Sequence, residues 1–424
     1  MTQRNDHKEI FVYAHWWGLD SPILMGVLSI NITRGKEIFS FEYDDGWLQS
    51  GIAQDLDPDL GLYTGPQYIR DEKANFGLFL DSSPDRWGRL LMRRREAADA
   101  RREHREIKTL YESDYLLGVF DGHRMGALRF KTDPNGAFLN DNKKFASPPW
   151  TSLRTLEYAS LKLEKEDISE DPEYYNWLKL LIDPGSSLGG ARPKASVLDT
   201  NDELWIAKFP SLNDIKDVGA WEMVTNQLAT KAGINMAHGT MHQFSSHHRT
   251  YLTKRFDRDA HGNRFHFASA LTMLGYIDGT DHSDGASYLE LAEFLMRKGA
   301  NVNEDLEELW RRIVFFICVS NTDDHLRNHG FILVDDGWIL SPAYDVNPNE
   351  TGTGLSLNIS MDDNSLELEL ALEVAEYFRL SNDRAKAIIK QIKESVQNWR
   401  AVSKGFSISK EEQDLMSPAF SKAN

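Results

Sequence analysis

Three polar residues in the last third of the chain have the types and the spacing that phosphoryl transfer requires. Asp323 is followed five residues later by Asn328, and Asp345 comes seventeen residues after Asn328. Phosphoryl transfer needs a carboxylate that orients the attacking hydroxyl, together with oxygen ligands for Mg²⁺. The spacing therefore predicts a phosphotransfer site centred on these residues. A helix-capping turn around Asp323 and an ordinary loop acid at Asp345 are the alternative interpretations.

A glycine-rich segment upstream of these residues could hold phosphate groups. Residues 185–194, GSSLGGARPK, contain three glycines and two serines directly before a predicted strand. Glycine lets backbone amides approach phosphate oxygens, and Arg192 or Lys194 could neutralise their charge. The segment has neither the Gly-Lys-Ser/Thr ending of a Walker A loop nor a GxGxxG pattern, so a tight turn is the alternative interpretation.

A strand lysine and a helix acid lie between the glycine-rich segment and the polar residues. Lys208 lies on a predicted strand, and Glu222 lies on the predicted helix that follows. In a kinase, a lysine in this position reaches the α and β phosphates while a helix acid holds it. Either residue alone is better explained as part of a protein surface. The order of the elements along the chain is what favours a kinase.

Periodicity and turn signals predict the elements that must position these residues. The predicted strands are 10–15, 24–32, 37–43, 195–198, 204–209, 240–244, 250–252, 331–334 and 338–340. The predicted helical stretches are 87–100, 218–231, 304–319 and 366–399. Ser83 is expected to cap the first of these helices, with Pro84 in its first turn, and Asn303 is expected to cap the third.

Together these elements predict an α+β chain with the two-lobed architecture of protein kinases, in which an N-terminal β-containing subdomain precedes a helical C-terminal lobe. The polar, proline-containing stretch 140–150 is the linker candidate, so a domain boundary is expected near residue 145. The expected domains are an N-terminal subdomain at 1–145, an ATP-binding lobe at 146–265 and a helical catalytic lobe at 266–424.

Composition and charge narrow the class of protein. The chain has 424 residues, and its 48 basic and 65 acidic residues give a formal charge of −17, which disfavours broad nucleic-acid binding. The arginines between 93 and 105 are better explained as a solvated helix face. The longest apolar stretch, 313–319, is far shorter than the roughly 20 residues of a membrane helix, and the N-terminus lacks a signal-peptide pattern. A cytoplasmic protein without membrane contact is expected, with Cys318 buried and inert.

Other clusters have weaker chemical interpretations. Residues 281–284, DHSD, could bind a metal together with His242, His247 and His248, but their spacing matches no zinc pattern and solvated loops are favoured. His325 with Asp323 and Asp324 would suit a metal-dependent phosphohydrolase, which stays a minor alternative to the kinase.

Four segments resemble the signature segments of HipA-family kinases, the toxin halves of bacterial toxin–antitoxin pairs. They are GGARPK at 189–194, RFDR at 255–258, NTDDHLRN at 321–328 and PAYDV at 342–346. The resemblance covers residues 150–400 well, whereas the first third of the chain matches the family's N-terminal subdomain only in length and pattern. It implies a protein kinase that uses ATP and Mg²⁺.

The resemblance also implies roles for individual residues. Asp323 would be the catalytic base or orienting acid, and Asn328 and Asp345 would hold Mg²⁺. Lys208 would grip the ATP phosphates, and Arg327 is a candidate for contact with the γ-phosphate. The other residues implied to bind the cofactor are Gly189, Gly190, Ala191, Lys194, Lys254, Phe256, Asp257 and His325.

Within that set, residues 254–256 would form a hinge that contacts adenine, Asp257 would lie near the ribose, and His325 would support the catalytic loop. Ser187 matches the serine of the glycine-rich segment that is autophosphorylated in the family and switches the kinase off. Its neighbour Ser186 leaves this assignment open.

The function implied by the resemblance is phosphorylation of a serine or threonine in a bacterial protein, which causes growth arrest. A translation factor such as an aminoacyl-tRNA synthetase is the substrate class that the family suggests. The expected partner is a HipB-like helix-turn-helix antitoxin, through which DNA would be reached only indirectly. The alternative is a catalytically silent HipA-like pseudokinase that acts as a binding partner of a DNA-binding antitoxin.

Overall fold

The structure is a computed structural model that describes residues 7–70, 73–139, 148–165, 168–182, 190 and 192–423. The chain divides into two units. The first contains residues up to 206 together with 257–268, and the second contains 207–256 together with the residues from 269 onward. The predicted boundary near residue 145 lies outside the described residues, and the predicted division into three domains stays a prediction.

Groups of strands and groups of helices follow one another along the described chain. The strands are β1 (His7–Ala14), β2 (Ile23–Thr33), β3 (Lys36–Tyr43), β4 (Gln67–Tyr68), β5 (Leu128–Lys131), β6 (Lys194–Leu198), β7 (Leu204–Lys208), β8 (Gly239–His242), β9 (Thr250–Lys254), β10 (Phe267–Ser269), β11 (Gly330–Val334) and β12 (Gly337–Leu340). The helices are α1 (Asp45–Gln49), α2 (Gly77–Asp81), α3 (Arg86–Arg102), α4 (Glu112–Gly118), α5 (Leu153–Leu163), α6 (Tyr174–Ile182), α7 (Val218–Lys231), α8 (Ala270–Met273), α9 (Tyr288–Lys298), α10 (Val302–Val319), α11 (Leu368–Glu373), α12 (Asn382–Val396), α13 (Trp399–Gly405) and α14 (Lys410–Met416). The predicted α+β class is confirmed.

The first unit contains a five-stranded sheet in the order β4-β3-β2-β1-β5, and its neighbouring strands are antiparallel. Leu28 lies opposite both Ile10 on β1 and Phe41 on β3, and all three side chains are buried. Because successive side chains of a strand point to opposite faces, the alternating apolar residues put one face of this sheet into the core. The antiparallel β unit predicted for this part of the chain is confirmed.

The start of α3 differs from the prediction. Asp85, rather than Ser83, caps the helix by accepting a hydrogen bond from the Gly88 backbone N–H at 2.7 Å. The second carboxylate oxygen of Asp85 lies 2.8 Å from the Lys194 ammonium, and both side chains are buried. The Ser83 hydroxyl instead donates to the Phe79 carbonyl. A partner more than a hundred residues away in the sequence therefore selects the capping residue, and Pro84 precedes the cap.

In the second unit, the apolar helix that precedes the predicted catalytic loop is α10. Its side chains from Ile313 to Val319 are buried, including Cys318, whose pKa is raised to about 12 by burial. The helix begins after Asn301, so the prediction of Asn303 as its cap is wrong. Asn303 lies inside the first turn, where its side chain accepts a hydrogen bond from Arg379. A buried helix of this kind gives the following loop a rigid support.

Two features complete the second unit. Strands β11 and β12 form the predicted hairpin, with Phe331 opposite Leu340. The helical run predicted at 366–399 is interrupted between α11 and α12, where Arg379 has a φ of 58° and Ser381 caps α12. No helix in the described part of the chain combines the length and the apolar character that crossing a bilayer requires.

Candidate active site

Lys208 is held by two carboxylates of the second unit. It ends β7, and its ammonium lies 2.6 Å from Glu222 Oε1 and 2.7 Å from Asp345 Oδ1. Glu222 comes from the second turn of α7, whose first turn is capped by Asp217. The side chains of Lys208 and Glu222 are largely buried, whereas that of Asp345 is 30% exposed. The structure thus brings together three residues that lie far apart in the sequence.

The charges around Lys208 keep it protonated. Burial acts to lower the pKa of its ammonium, but Asp345 and then Glu222 act in the opposite direction and the net pKa is raised. The ring of Tyr251 lies 5.9 Å from the ammonium, close enough for a cation–π contact. Burial first, and then the same two carboxylates, raise the pKa of the Tyr251 hydroxyl well above its ordinary value. Lys208 is therefore a fixed positive charge in a site that favours cations.

The predicted catalytic loop, residues 321–328, follows α10 directly. Ser320 ends the helix with a φ of 51°, a left-handed conformation that turns the chain sharply. The Asp323 carbonyl accepts hydrogen bonds from the His325 backbone N–H and, at 3.0 Å, from the Asn328 side-chain amide. These bonds close the loop on itself. The Asp323 side chain is left on the exposed side of the loop, where it is accessible to a substrate.

Hydrogen bonds connect this loop to the segment that carries Asp345. The Tyr344 hydroxyl donates to the Arg327 carbonyl at 2.7 Å. The backbone N–H of Asn347 donates to Asn321 Oδ1 at 3.0 Å, while its side-chain amide donates to Asp345 Oδ1 at 2.9 Å. A continuous network therefore runs from Lys208 to the catalytic loop. Asn321 and Asn347 were not predicted as site residues, although their polar types beside Asp323 and Asp345 were a usable signal.

The backbone at Asp345 is strained. Its φ is 56°, in the left-handed region that L-residues other than Asn, Asp and Gly seldom occupy. A non-glycine residue in this region costs of order 1–3 kcal/mol, and such residues cluster at functional sites. Hydrogen bonds from Lys208 and from Asn347, both to its Oδ1, help to hold Asp345 in this conformation.

A buried polar cluster of Tyr288, Asp324 and His329 stabilises the predicted catalytic loop. Asp324 Oδ2 accepts hydrogen bonds from the Tyr288 hydroxyl and from His329 Nε2, both at 2.6 Å, and all three side chains are buried. Tyr288 starts α9, whereas Asp324 and His329 belong to the loop and its exit. The cluster therefore fastens the loop to a neighbouring helix. Of the two consecutive aspartates, Asp323 is exposed and Asp324 is buried.

The donor atoms of the site fit a magnesium ion. Because the Asn328 amide nitrogen is bonded to the Asp323 carbonyl, its Oδ1 is the atom that remains for a cation, and Asp345 adds a carboxylate. Asn347 Oδ1 is buried without a hydrogen-bond partner among the described residues. Mg²⁺ usually takes one or two carboxylates, with substrate phosphates and water completing its shell. The residue types therefore suit a magnesium ion, and the roles of Asn328 and Asp345 as its ligands stay predictions.

Several of the other predicted residues have partners that the sequence did not indicate. Arg327 forms an ion pair with Asp278 at 2.9 Å, and Lys194 pairs with Asp85 in the first unit. Asp257 is buried in the first unit, where it accepts from the Gly126 backbone N–H and from Arg258. Their predicted roles at the cofactor stay predictions.

In the predicted hinge, the ring centroids of Phe256 and Tyr344 lie 5.5 Å apart. The backbone N–H of Lys254 donates to the His238 carbonyl. His325 has a buried Nδ1 without a partner among the described residues. Gly190 has a φ of 103°. Gly189, Ala191, Ser186 and Ser187 lie outside the described residues, so the predictions made for them stay predictions.

Kinases hold a strand lysine with a helix acid beside a loop of the type Asp-x4-Asn, and this chain has that arrangement on an α+β fold. The class of the fold is accordingly kinase-like. The model of the HipA-like C-terminal domain matches residues 186–399, just over half of the chain, and the chain belongs to this family. The resemblance inferred from the four sequence segments is confirmed.

Two relatives extend this assignment. A protein named putative kinase from Haemophilus influenzae is 24% identical in an alignment of 226 positions that covers 49% of this chain and 60% of that protein. The chain thus spans less than two thirds of that relative's length. The HipA of a toxin–antitoxin system from Shewanella oneidensis, solved in complex with HipB and operator DNA, is 16% identical with a TM-score of 0.65. The similarity covers 98% of this chain and 95% of that one, and it shows a common fold.

Proposed function

We propose that the chain is an ATP- and Mg²⁺-dependent protein serine/threonine kinase of the HipA toxin type. The observation that carries the proposal is the position of Lys208 between Glu222 and Asp345. A surface lysine needs no such pair of carboxylate partners, whereas a lysine that must bind phosphate oxygens has to be protonated and held in place. Glu222 holds the Lys208 ammonium in place, and Asp345 provides a carboxylate that can bind a metal ion.

The residues of the site divide the chemistry between them. Lys208 donates to the α- and β-phosphate oxygens while Glu222 keeps its side chain extended along the site. Asn328 and Asp345 would hold Mg²⁺, which when bound neutralises charge on the phosphates. The exposed Asp323 carboxylate accepts the hydrogen bond of the substrate hydroxyl and takes its proton as the phosphoryl group is transferred. Arg327, four residues along the same loop, donates to the γ-phosphate.

The partners and the regulation follow from the family. The Shewanella protein was solved with HipB and operator DNA, and for this chain we propose a helix-turn-helix antitoxin of the HipB type as partner, with DNA contacted only through it. The proposed substrate is a bacterial protein of the cytoplasm, such as a translation factor, whose phosphorylation arrests growth. Phosphorylation of Ser187, or of its neighbour Ser186, is the proposed off-switch.

Incubation of the purified chain with γ-labelled ATP and Mg²⁺ tests the proposal. The wild type should become labelled on Ser186 or Ser187. Asp323→Asn should lower the rate by about 10²–10⁴-fold, because it removes the group that takes the proton. Asp336→Asn, at an exposed position in the β11–β12 turn, is the matched control and should keep the wild-type rate.

Nucleotide binding is measured in parallel by thermal melting, because binding without phosphoryl transfer distinguishes a pseudokinase from an active kinase. A melting shift with ATP and Mg²⁺ but no transfer from the wild type would contradict the kinase and support the pseudokinase. Absence of both binding and transfer would refute the proposal altogether.

A further inference from the structure

The last residues of the described chain contact the helix that carries Glu222. We define the C-terminal segment as residues 409–423, which comprise α14 and the short 3₁₀ stretch Ser417–Ala423. Glu412 Oε1 accepts hydrogen bonds from the Asp217 backbone N–H and from Trp221 Nε1, both at 2.8 Å. These donors are the capping residue of α7 and the residue directly before Glu222. Glu412 therefore holds the first turn of α7, directly before Glu222, the partner of Lys208.

Ring contacts strengthen this attachment. Phe420 of the C-terminal segment stacks on Trp399, with ring centroids 4.5 Å apart, and lies 5.9 Å from the ring of Trp221. Phe420 and Trp221 are almost completely buried. These ring contacts help to bury Trp221, whose indole N–H donates one of the two hydrogen bonds to Glu412.

The same segment also contacts the start of the catalytic loop. The Ser320 hydroxyl donates to the Ala419 carbonyl at 3.0 Å, and both residues are buried. Ser320 is the left-handed residue at which α10 ends and the loop begins. Seven residues separate Glu412 from Ala419, so one short stretch of chain is bonded to the Glu222 helix at one end and to the catalytic loop at the other.

We propose that the C-terminal segment sets the position of α7 relative to the catalytic loop, and that Glu412 is a positioning residue for the Lys208–Glu222 pair. The inference rests on the proposed function, because it concerns the same site. Glu412 touches neither substrate nor cofactor and acts through Trp221 and Asp217. A negative side chain at the N-terminus of α7 also interacts favourably with the helix dipole, which adds to the two hydrogen bonds.

Three variants test the role of Glu412. Glu412→Ala removes both hydrogen bonds, whereas Glu412→Gln keeps a carbonyl oxygen that can accept them. Glu411→Ala is the matched control, because Glu411 is the exposed neighbour on the same turn of α14. The main measurement is the rate at which an amine-reactive probe labels Lys208, followed by mass spectrometry well below the melting temperature of each variant. This rate reports on the Lys208–Glu222 pair and does not require turnover.

Glu412→Ala should label Lys208 about tenfold faster than the wild type, since losing two hydrogen bonds raises the population of displaced α7 by about that factor. Glu412→Gln should restore most of the protection, and Glu411→Ala should match the wild type. Phosphoryl transfer should fall in Glu412→Ala mainly through kcat, because the pair would be misplaced at the reacting phosphate.

Equal labelling of Lys208 in Glu412→Ala and the wild type would overturn the inference, as would equal acceleration in Glu411→Ala. Failure of Glu412→Gln to restore protection would also overturn it. If the labelling rates differ as expected but the wild type transfers no phosphate, the proposed function fails while the positioning role of Glu412 stands.

Discussion

Replacement of Tyr288 by phenylalanine tests whether the buried cluster under the catalytic loop stabilises that loop. The change removes one hydroxyl and leaves the ring, which lies edge-on to His329 at 5.7 Å. Burial and the nearby Asp324 raise the pKa of this hydroxyl well above its ordinary value, so it stays protonated and donates. A hydrogen bond to a charged group contributes about 1.5–3 kcal/mol, and a buried bond lies at the upper end because water cannot replace it. We therefore expect the free energy of unfolding to fall by about 2–3 kcal/mol.

Urea denaturation followed by tryptophan fluorescence measures this loss, with Tyr276→Phe as the control. The Tyr276 hydroxyl also donates to a carboxylate, Glu290 at 2.9 Å, but it is partly exposed. Water can replace that bond, so the control should lose less than about 1 kcal/mol. A loss in Tyr288→Phe no larger than the loss in Tyr276→Phe would refute the reasoning.

Two further predictions concern charge. In Asp345→Asn, burial of Lys208 is opposed by Glu222 alone, so we expect the pKa of Lys208 to fall and its labelling by an amine-reactive probe to begin at lower pH than in the wild type. Burial is the main cause that raises the pKa of Asp57 from 3.8 to about 6 in the folded protein. The folded chain therefore binds the proton more tightly than the unfolded chain, and this contribution to the free energy of unfolding is complete below pH 3.8 and is lost as the pH rises through 6. Asp57→Asn should remove about 3 kcal/mol of this pH dependence, as measured by urea midpoints at pH 4 and pH 7; an unchanged profile would contradict the assignment.

Sequence patterns predicted the elements with strong periodicity and missed choices that depend on distant partners. The bounds of α7 agree with the prediction because its apolar spacing and the following Gly233 are local signals. The cap of α3 was missed because Ser83 and Asp85 are both good capping residues, and one contact that distinguishes them is the ion pair of Asp85 with the distant Lys194. No local rule contains that information.

In the candidate site too, local sequence signals were predictive and contacts with distant residues were not. The order of Lys208, Glu222 and Asp345 along the chain, together with the kinase-like elements around them, was a usable signal that they lie close together. The roles of Asn347 and Asp324 were not predicted, because each depends on which side chain of another element lies within 3 Å. Hydrogen-bond networks of this kind are properties of the folded chain, and residue type and spacing leave several networks open.

The left-handed backbone at Asp345 restricts which substitutions this position can accept. Glycine and asparagine tolerate a φ near 56° but lack the negative charge that pairs with Lys208, while glutamate has the charge but not the backbone preference. Aspartate alone satisfies both demands. Asparagine would keep the shape of the segment while removing its charge, so a family member with asparagine here is expected to fold normally and to be catalytically silent. Under the proposed function, this one position would separate active from inactive members of the family.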